Sequence, residues 1–183
     1  MELEFKPVVA GDIDRLRPFY GMRPNKTCDS VFLDSFLWKD YYHVQCAVSE
    51  GRAVLWLMEK DGQVSTAMPL CREEDLPYFF QQMVDYFSEV LHKPFYISLA
   101  DEEAVQYLNL DPALFEVEEQ VDLKDYLYSG EELRTLEGKK FVKKRNHLNG
   151  SKRTYEGRYE YRRLCCSDRH EVWQFMERWR QHK

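Results

Sequence analysis

The sequence lacks any long hydrophobic run. Its longest apolar stretch, Ala53 to Met58, has the length of a strand, and the mean hydropathy is −0.63. A membrane-spanning helix needs about 20 apolar residues, so we expect no transmembrane segment. The N-terminus, MELEFKPVV, has acids where a signal peptide would carry basic residues followed by an apolar core. We therefore expect a cytoplasmic protein.

Cysteine pairs at metal-binding spacing are absent as well. None of the five cysteines forms a CxxC motif, and the adjacent Cys165 and Cys166 would point to opposite faces of a strand. The five histidines have no Cys or carboxylate partners at ligand spacing, so no metal site is expected. There is no P-loop, GxGxxG, HExxH or GxSxG motif. The sequence thus indicates reduced structural cysteines and assigns no catalytic residue.

Charge is distributed unevenly along the chain. Residues 1–137 carry 12 Lys and Arg against 27 Asp and Glu, whereas residues 138–183 carry 14 against 5. The chain therefore changes from acidic to basic near Gly138. Such a basic stretch is a candidate for contact with an anionic partner or with the acidic part of the same chain.

Two helices are predicted around Gly138. Ser129 and Glu132 have the spacing of a capping box, which predicts a short helix that Gly138 terminates. A second helix is predicted over about Lys139 to Leu148, anchored by Phe141 and Leu148. Its candidate substrate- or anion-binding residues are Lys139, Lys140, Lys143, Lys144, Arg145, Asn146 and His147.

Three interpretations of this basic helix stay open. Its cations could form a solvated face that pairs with the acidic first domain. They could instead bind an anion, such as a tRNA acceptor end, a phospholipid headgroup or a nucleotide phosphate. Alternatively, Arg145, Asn146 and His147 could be buried at a domain junction and donate hydrogen bonds to loop carbonyls.

The first 125 or so residues have the element order β-α-α-β-β-β-α-β-α-β. The hairpin between the second and third strands of the meander is marked by Asp61-Gly62, a type I′ signal. The predicted elements are an edge strand at Glu2–Val8, a helix capped by Asp12, a loop at Gly21–Lys26, a helix at Asp29–Trp38 with Leu33, Phe36 and Leu37 on one side, a half-buried strand at Val44–Val48, a central strand at Ala53–Met58, a strand at Val64–Met68, a helix from Leu76 to Leu91, a buried strand at Phe95–Leu99, a helix from Asp101, and one or two strands in Phe115–Tyr128.

The beginning of the chain recurs near its end. LEFKPVVAGDIDRLRPF runs in step, without a gap, with YEYRRLCCSDRHEVWQF, 156 residues further on. Asp12 falls opposite Asp168, and the second copy has a predicted strand at Tyr159–Leu164 followed by a helix to Arg180, with Asp168 and Glu171 as its capping box. A strand and one helix cannot bury their apolar residues alone. These residues must therefore dock on the first domain, pair with the same segment of a second molecule, or be completed by further chain. If the chain ends at Lys183, we expect self-association through residues 159–180.

The segment YLYS…LEGKKFVKKRNHLN resembles the bacterial family related to the C-terminal domain of phosphatidylglycerol lysyltransferase, most strongly over about residues 125–180. The resemblance implies two tandem GNAT-like domains of α+β class. It implies a GNAT-like domain at 1–125, a connector with the basic helix at 126–157, and the incomplete start of a second domain at 158–183.

The family suggests transfer of an acyl or aminoacyl group, with acyl-CoA or aminoacyl-tRNA as the possible donor. The catalytic half would then lie in the second copy, and this chain alone would be inactive. The alternative is a non-enzymatic module that presents a basic helix to an anionic partner, tRNA or a phospholipid headgroup.

The first domain lacks the phosphate loop that a GNAT enzyme uses to bind coenzyme A. The equivalent turn, Cys71 to Asp75, contains no glycine and three successive acids. A pyrophosphate needs backbone amides at a helix N-terminus that small residues leave accessible. We therefore expect the first domain to bind no cofactor.

Overall fold

The structure is a computed structural model that describes residues 3–22, 31–124 and 126–181. Contacts within the chain divide it into two units, Met1–Asp125 and Tyr126–Lys183. Most of the predicted loop at Gly21–Lys26, the first residues of the helix predicted from Asp29, and Cys28 lie outside the described residues.

The first unit contains a five-stranded mixed sheet with helices around it. The strands lie in sequence order, β1 to β4 are antiparallel, and β5 is parallel to β4. The predicted α+β class is therefore confirmed. The strands are β1 (Lys6–Pro7), β2 (Gln45–Ser49), β3 (Ala53–Lys60), β4 (Gln63–Ala67) and β5 (Ile97–Leu99).

The turn between β3 and β4 has the predicted type I′ geometry. Asp61 and Gly62 have φ angles of 52° and 81°, and a type I′ turn requires positive φ at both positions. The turn sets a register in which Lys60 lies opposite Gln63 and Met58 opposite Ser65. The Asp-Gly signal was therefore sufficient to place this hairpin.

Strand β3 is the centre of the unit, because both of its faces are buried. On one face, Leu55 packs into a core cluster with Phe79 and other residues of the helix that begins at Leu76. Val54 and Trp56 pack on the opposite face into a second cluster, which includes Leu16. This confirms the prediction of a central strand that is apolar on both faces.

The prediction of a half-buried β2 is wrong. Cys46 and Ala47, which point to opposite faces, are both buried. The buried Ser49 donates a hydrogen bond of 2.9 Å to the side chain of Gln82. The small side chains of Cys46 and Ala47 let the core close over both faces of this strand, and the polar Ser49 is covered too.

The described residues of the first unit form four α-helices. They are α1 (Ile13–Tyr20), α2 (Phe32–Leu37), α3 (Leu76–Asp85) and α4 (Glu102–Leu108). The predicted long helix is present, but after Asp85 it continues as a π-helical segment, Tyr86–Leu91. Its predicted apolar stripe is confirmed, since Phe79, Phe80 and Phe87 are buried. The carboxylate of Asp101 accepts the amide of Ala104 at 2.8 Å and begins α4 as predicted.

Helix α2 buries a different face from the predicted one. Phe32 and Phe36 lie one turn apart, stack at 6.1 Å and pack into the core, whereas Leu33 and Leu37 are 59% and 66% exposed. Two aromatic rings remove more apolar surface from water than two leucines do, which favours the observed orientation.

No strand forms within Phe115–Tyr128 in the part of this segment that the structure describes, so that prediction is wrong. Phe115 packs against Phe80 and Phe95, and a single 3-10 turn follows at Val121–Leu123. Val117 and its neighbours are exposed. Alternating apolar residues make a strand only where a neighbouring strand edge is available.

The second unit is helical over its described residues. It contains α5 (Gly130–Thr135), α6 (Val142–Thr154) and α7 (Arg169–Gln181), with 3-10 turns before α6 and α7. Ser129 accepts the Glu132 amide as the capping box predicted. However, the left-handed residue that ends α5 is Leu136, with φ of 52°, rather than Gly138.

The predicted strand at Tyr159–Leu164 is also wrong, because that segment is not paired with any described strand. Helix α6 extends to Thr154, six residues beyond the predicted end at Leu148.

Candidate functional site

The basic helix is attached to its unit at one end. Phe141, in the 3-10 turn before α6, is 5% exposed, whereas Leu148 is 44% exposed. Of the two predicted anchors, Phe141 alone is buried. The rest of α6 therefore presents polar side chains to solvent on most of its circumference.

Two of the predicted site residues have structural partners. Lys140 forms an ion pair of 2.7 Å with Glu132 of α5. The guanidinium of Arg145 donates hydrogen bonds to the carbonyl oxygens of Leu136 and, at 2.9 Å, of Gly138. Arg145 thus closes the turn that ends α5, and its charge is engaged there.

The other predicted cations are available to a partner. Five of the predicted residues have exposed side chains that form no ion pair or hydrogen bond with a residue that the structure describes. They are Lys139, Lys143, Lys144, Asn146 and His147. In α6, Lys143, Lys144 and His147 fall within about 100° of arc at 3.6 residues per turn. We call these three residues the basic face.

Sequence reasoning missed two further cations, Lys152 and Arg153, in the last turn of α6. They lie about 130° to either side of the centre of the basic face. Composition alone could have found them, but the predicted helix ended before them. Cations in the last turn complement the helix dipole, which gives these two a structural role.

A repeated aspartate motif begins α1 and α7. The Asp12 carboxylate accepts the Val9 amide at 2.9 Å and the Arg15 guanidinium at 2.7 Å. Burial would raise the pKa of Asp12, but these two hydrogen bonds lower it below its ordinary value. In each copy a 3-10 turn ends at the aspartate and an α-helix follows at once.

In the second copy, Asp168 accepts the Cys165 amide at 2.8 Å and the two terminal nitrogens of the Arg162 guanidinium at 2.6 and 2.7 Å. The Arg162 hydrogen bonds hold the pKa of Asp168 far below its ordinary range. The predicted capping box of Asp168 with Glu171 is therefore wrong in detail. The Asp168 carboxylate accepts the backbone amide of Cys165, three residues before it, instead of an amide after it.

The turn before α3 is occupied by its own charges. Glu73–Asp75 forms a 3-10 turn, and Asp75 is bound by Arg52 of the β2–β3 connection. Arg52 also forms an ion pair with Glu50, which accepts a hydrogen bond of 2.7 Å from Tyr78. The N-terminal end of α3 therefore already has carboxylates where a phosphate would have to approach.

Neither a metal cluster nor a membrane-spanning helix occurs in the described ranges. No three His, Cys, Asp or Glu side chains there lie close enough to hold a metal ion. No helix there has the length and apolar content needed to cross a bilayer. Of the cysteines described, Cys46 and Cys71 are buried and Cys165 and Cys166 are exposed.

These features define an α+β protein whose mixed sheet is consistent with a GNAT-like fold, joined to a basic helical unit. The sequence model of the family described as phosphatidylglycerol lysyltransferase, C-terminal, matches residues 22–183. The chain belongs to this family, as the motif in the central segment indicated. No curated protein sequence matches it significantly.

A solved structure has the same fold. The crystal structure of a conserved protein of unknown function from Bacteroides thetaiotaomicron matches 97% of this chain with a TM-score of 0.81 at 24% sequence identity. The match covers 59% of that protein, so this chain spans about three fifths of its length.

Proposed function

We propose that the second unit is a recognition surface for a phosphate-bearing partner, within a protein of acyl- or aminoacyltransferase type. The observation that carries this proposal is the basic face of Lys143, Lys144 and His147. These side chains are exposed and free of ion pairs with described residues, while their neighbours Lys140 and Arg145 are engaged. A helix surface that leaves its cations unneutralised attracts anions.

The charge of the whole unit supports the same proposal. Residues 126–183 carry 15 Lys and Arg against 8 Asp and Glu, whereas residues 1–125 carry 11 against 24. A polyanion is therefore drawn to the second unit and repelled by the first. The ligand chemistry is that of phosphodiesters, which tRNA and phospholipid headgroups share.

The family suggests where the reaction takes place. We infer that residues 158–183 begin a second GNAT-like copy and that the catalytic half lies in that copy. The two aspartate motifs, 156 residues apart, support this inference, since their 3-10 turns and helices begin at matching positions. Leu16 and Phe19 of α1 are buried against the sheet, while their counterparts in α7, Val172 and Phe175, are 38% and 59% exposed.

An alternative is a non-enzymatic binding module, and the turn before α3 favours it. In the first unit the N-terminal end of α3 carries Asp75 paired with Arg52, and these charges disfavour the pyrophosphate of coenzyme A there. On this alternative the anion is recognised but not transformed. The two functions differ in whether acyl- or aminoacyl transfer accompanies binding.

Equilibrium binding tests the proposal directly. Labelled deacylated tRNA and vesicles of phosphatidylglycerol or phosphatidylcholine would be titrated with the chain at increasing salt concentration. We expect saturable binding to tRNA or to phosphatidylglycerol vesicles, which weakens as salt rises because counterions are released. Preference for one of the two arms identifies the source of the phosphate. Equal affinity for phosphatidylcholine vesicles, or no binding in either arm at low salt, would overturn it.

A further inference from the structure

The basic face contains one residue whose charge depends on pH. His147 is exposed and forms no ion pair or hydrogen bond with a residue that the structure describes. A histidine side chain gains or loses its proton between about pH 5 and 8, whereas a lysine side chain stays charged throughout that range. Together with Lys143 and Lys144, the face therefore carries one more positive charge when His147 is protonated than when it is neutral.

His147 lies between the two lysines on the surface of α6. Its position around the helix is about 40° from Lys143 and about 60° from Lys144, one turn nearer the C-terminal end. Residues three and four apart have Cβ atoms about 5–6 Å apart, and helical side chains lean toward the N-terminus. A single phosphate group can therefore be reached by His147 and by both lysines.

The charged groups of α6 are all cations. The helix contains no Asp or Glu, and the residues one turn beyond His147 are the uncharged Gly150 and Ser151. In the turn that precedes and packs on α6, the charged residues are Lys139 and Lys140, and Lys140 is paired with Glu132 of α5. These elements therefore place no unpaired carboxylate next to His147.

The remaining acids near α6 lie elsewhere. Glu131 of α5 is paired with Arg134. Glu137 belongs to the turn whose carbonyl oxygens, at Leu136 and Gly138, accept hydrogen bonds from Arg145. Arg145 is about 160° around the helix from His147. The turn that contains Glu137 thus packs on the side of α6 away from the basic face.

We propose that His147 makes phosphate binding by the basic face pH-dependent, because it supplies a third cation when its imidazole is protonated. A bound phosphodiester stabilises the protonated imidazole through opposite charge and through a hydrogen bond from the imidazole N–H. By linkage, binding takes up protons and strengthens as the pH falls through the range in which histidine titrates. This inference rests on the proposed function, since it concerns the regulation of the same face.

The test compares affinity at about pH 6 and about pH 8, at one salt concentration, for probes whose phosphodiesters do not titrate in this range. The probes are labelled deacylated tRNA and, separately, phosphatidylglycerol vesicles. We expect binding to be about fivefold tighter at the lower pH, the effect of one added cation. Calorimetry at about pH 7, in two buffers that differ in ionisation enthalpy, should show proton uptake on binding.

Variants at His147 assign the pH dependence to this residue. His147→Gln has no titratable group, so it should bind with one affinity at both pH values, weaker than that of the unmodified chain at the lower pH. His147→Lys has a fixed charge and should bind at both pH values as tightly as the unmodified chain does at the lower one. The matched control is His170→Gln on α7, where the His170 ring bonds to Gln174; this variant should keep the full pH dependence.

Three results would contradict the inference. Equal affinity of the unmodified chain at both pH values would overturn it and leave the proposed function intact. A pH dependence that persists in His147→Gln would also overturn it, because another group would then be responsible. No binding of either probe at either pH would overturn the proposed function together with this inference.

Discussion

Individual side chains determine which charges of α6 can meet a partner. Arg145 lies among six other candidate residues, but its guanidinium is committed to the carbonyls of Leu136 and Gly138. Lys140 is likewise committed to Glu132. Composition identified the basic segment correctly as a charged surface. Composition could not separate the cations that bind other residues of the chain from those that are free to meet a partner. That distinction depends on the turn at Leu136, whose carbonyl Arg145 binds.

The aromatic rings of the α3 region should dominate the stability of the first unit. Phe87 is fully buried and Phe80 is 5% exposed, as the apolar stripe predicted. Replacing either ring by alanine leaves a cavity, so Phe80→Ala or Phe87→Ala should cost about 3–5 kcal/mol of unfolding free energy. Denaturant unfolding measures this cost. The control is Val90→Ala, an exposed position of the same region, which should cost less than about 0.5 kcal/mol. Equal effects at Phe87 and Val90 would contradict the core assignment.

The aspartate motifs make stability sensitive to acid. The pKa of Asp12 and the pKa of Asp168 are both lowered in the folded chain. A carboxylate with a lowered pKa contributes its stability above the unfolded value, about 3.9, and loses it as the pH falls toward the folded pKa. The melting temperature should therefore decrease when the pH is lowered past about 4. Asp12→Asn should lower the melting temperature at neutral pH, and the variant should then lose less melting temperature in acid than the unmodified chain does. An identical acid profile for Asp12→Asn and the unmodified chain would show that Asp12 does not contribute.

At the scale of elements, the turn before α3 decides whether the first unit can hold coenzyme A. Three successive acids begin at Glu73, and Asp75 is already bound by Arg52. We expect acetyl-coenzyme A to leave the melting temperature of the chain unchanged, because the pyrophosphate meets carboxylates instead of free amides. Thermal shift over a ligand series measures this. A saturable shift at ligand concentrations on the order of micromolar, altered by Glu73→Gln and Glu74→Gln together, would contradict it.

The elements that the sequence predicted well are those with local signals. The helical stripe of α3 and the Asp61-Gly62 turn depend on residues close in sequence, and both are present. The strands predicted at Phe115–Tyr128 and Tyr159–Leu164 are absent from the described residues, because a strand needs an edge supplied from elsewhere. The buried face of α2 depended on the sheet it packs against, which local periodicity does not encode.

At the scale of the whole molecule, the charge asymmetry of the chain coincides with its division into two units. The family assignment and the α+β class both followed from the sequence, the first from one motif and the second from the order of elements. No catalytic residue could be predicted, because no motif or spacing of a known catalytic site occurs in the sequence. The basic face is therefore the part of the proposed function that this chain can test by itself.

A comparison of two charge reversals tests the central claim most directly. Lys143→Glu with Lys144→Glu removes the basic face. The control variant, Lys152→Glu with Arg153→Glu, changes the net charge of the same helix by the same amount. Its two residues lie in the last turn of α6, outside the basic face. Binding of the preferred phosphate ligand would be measured for both variants at one salt concentration. We predict that the first variant loses affinity for the ligand by about tenfold or more and that the second loses much less. Equal losses would mean that the helix attracts anions only through its overall charge, and no loss in either would contradict the account.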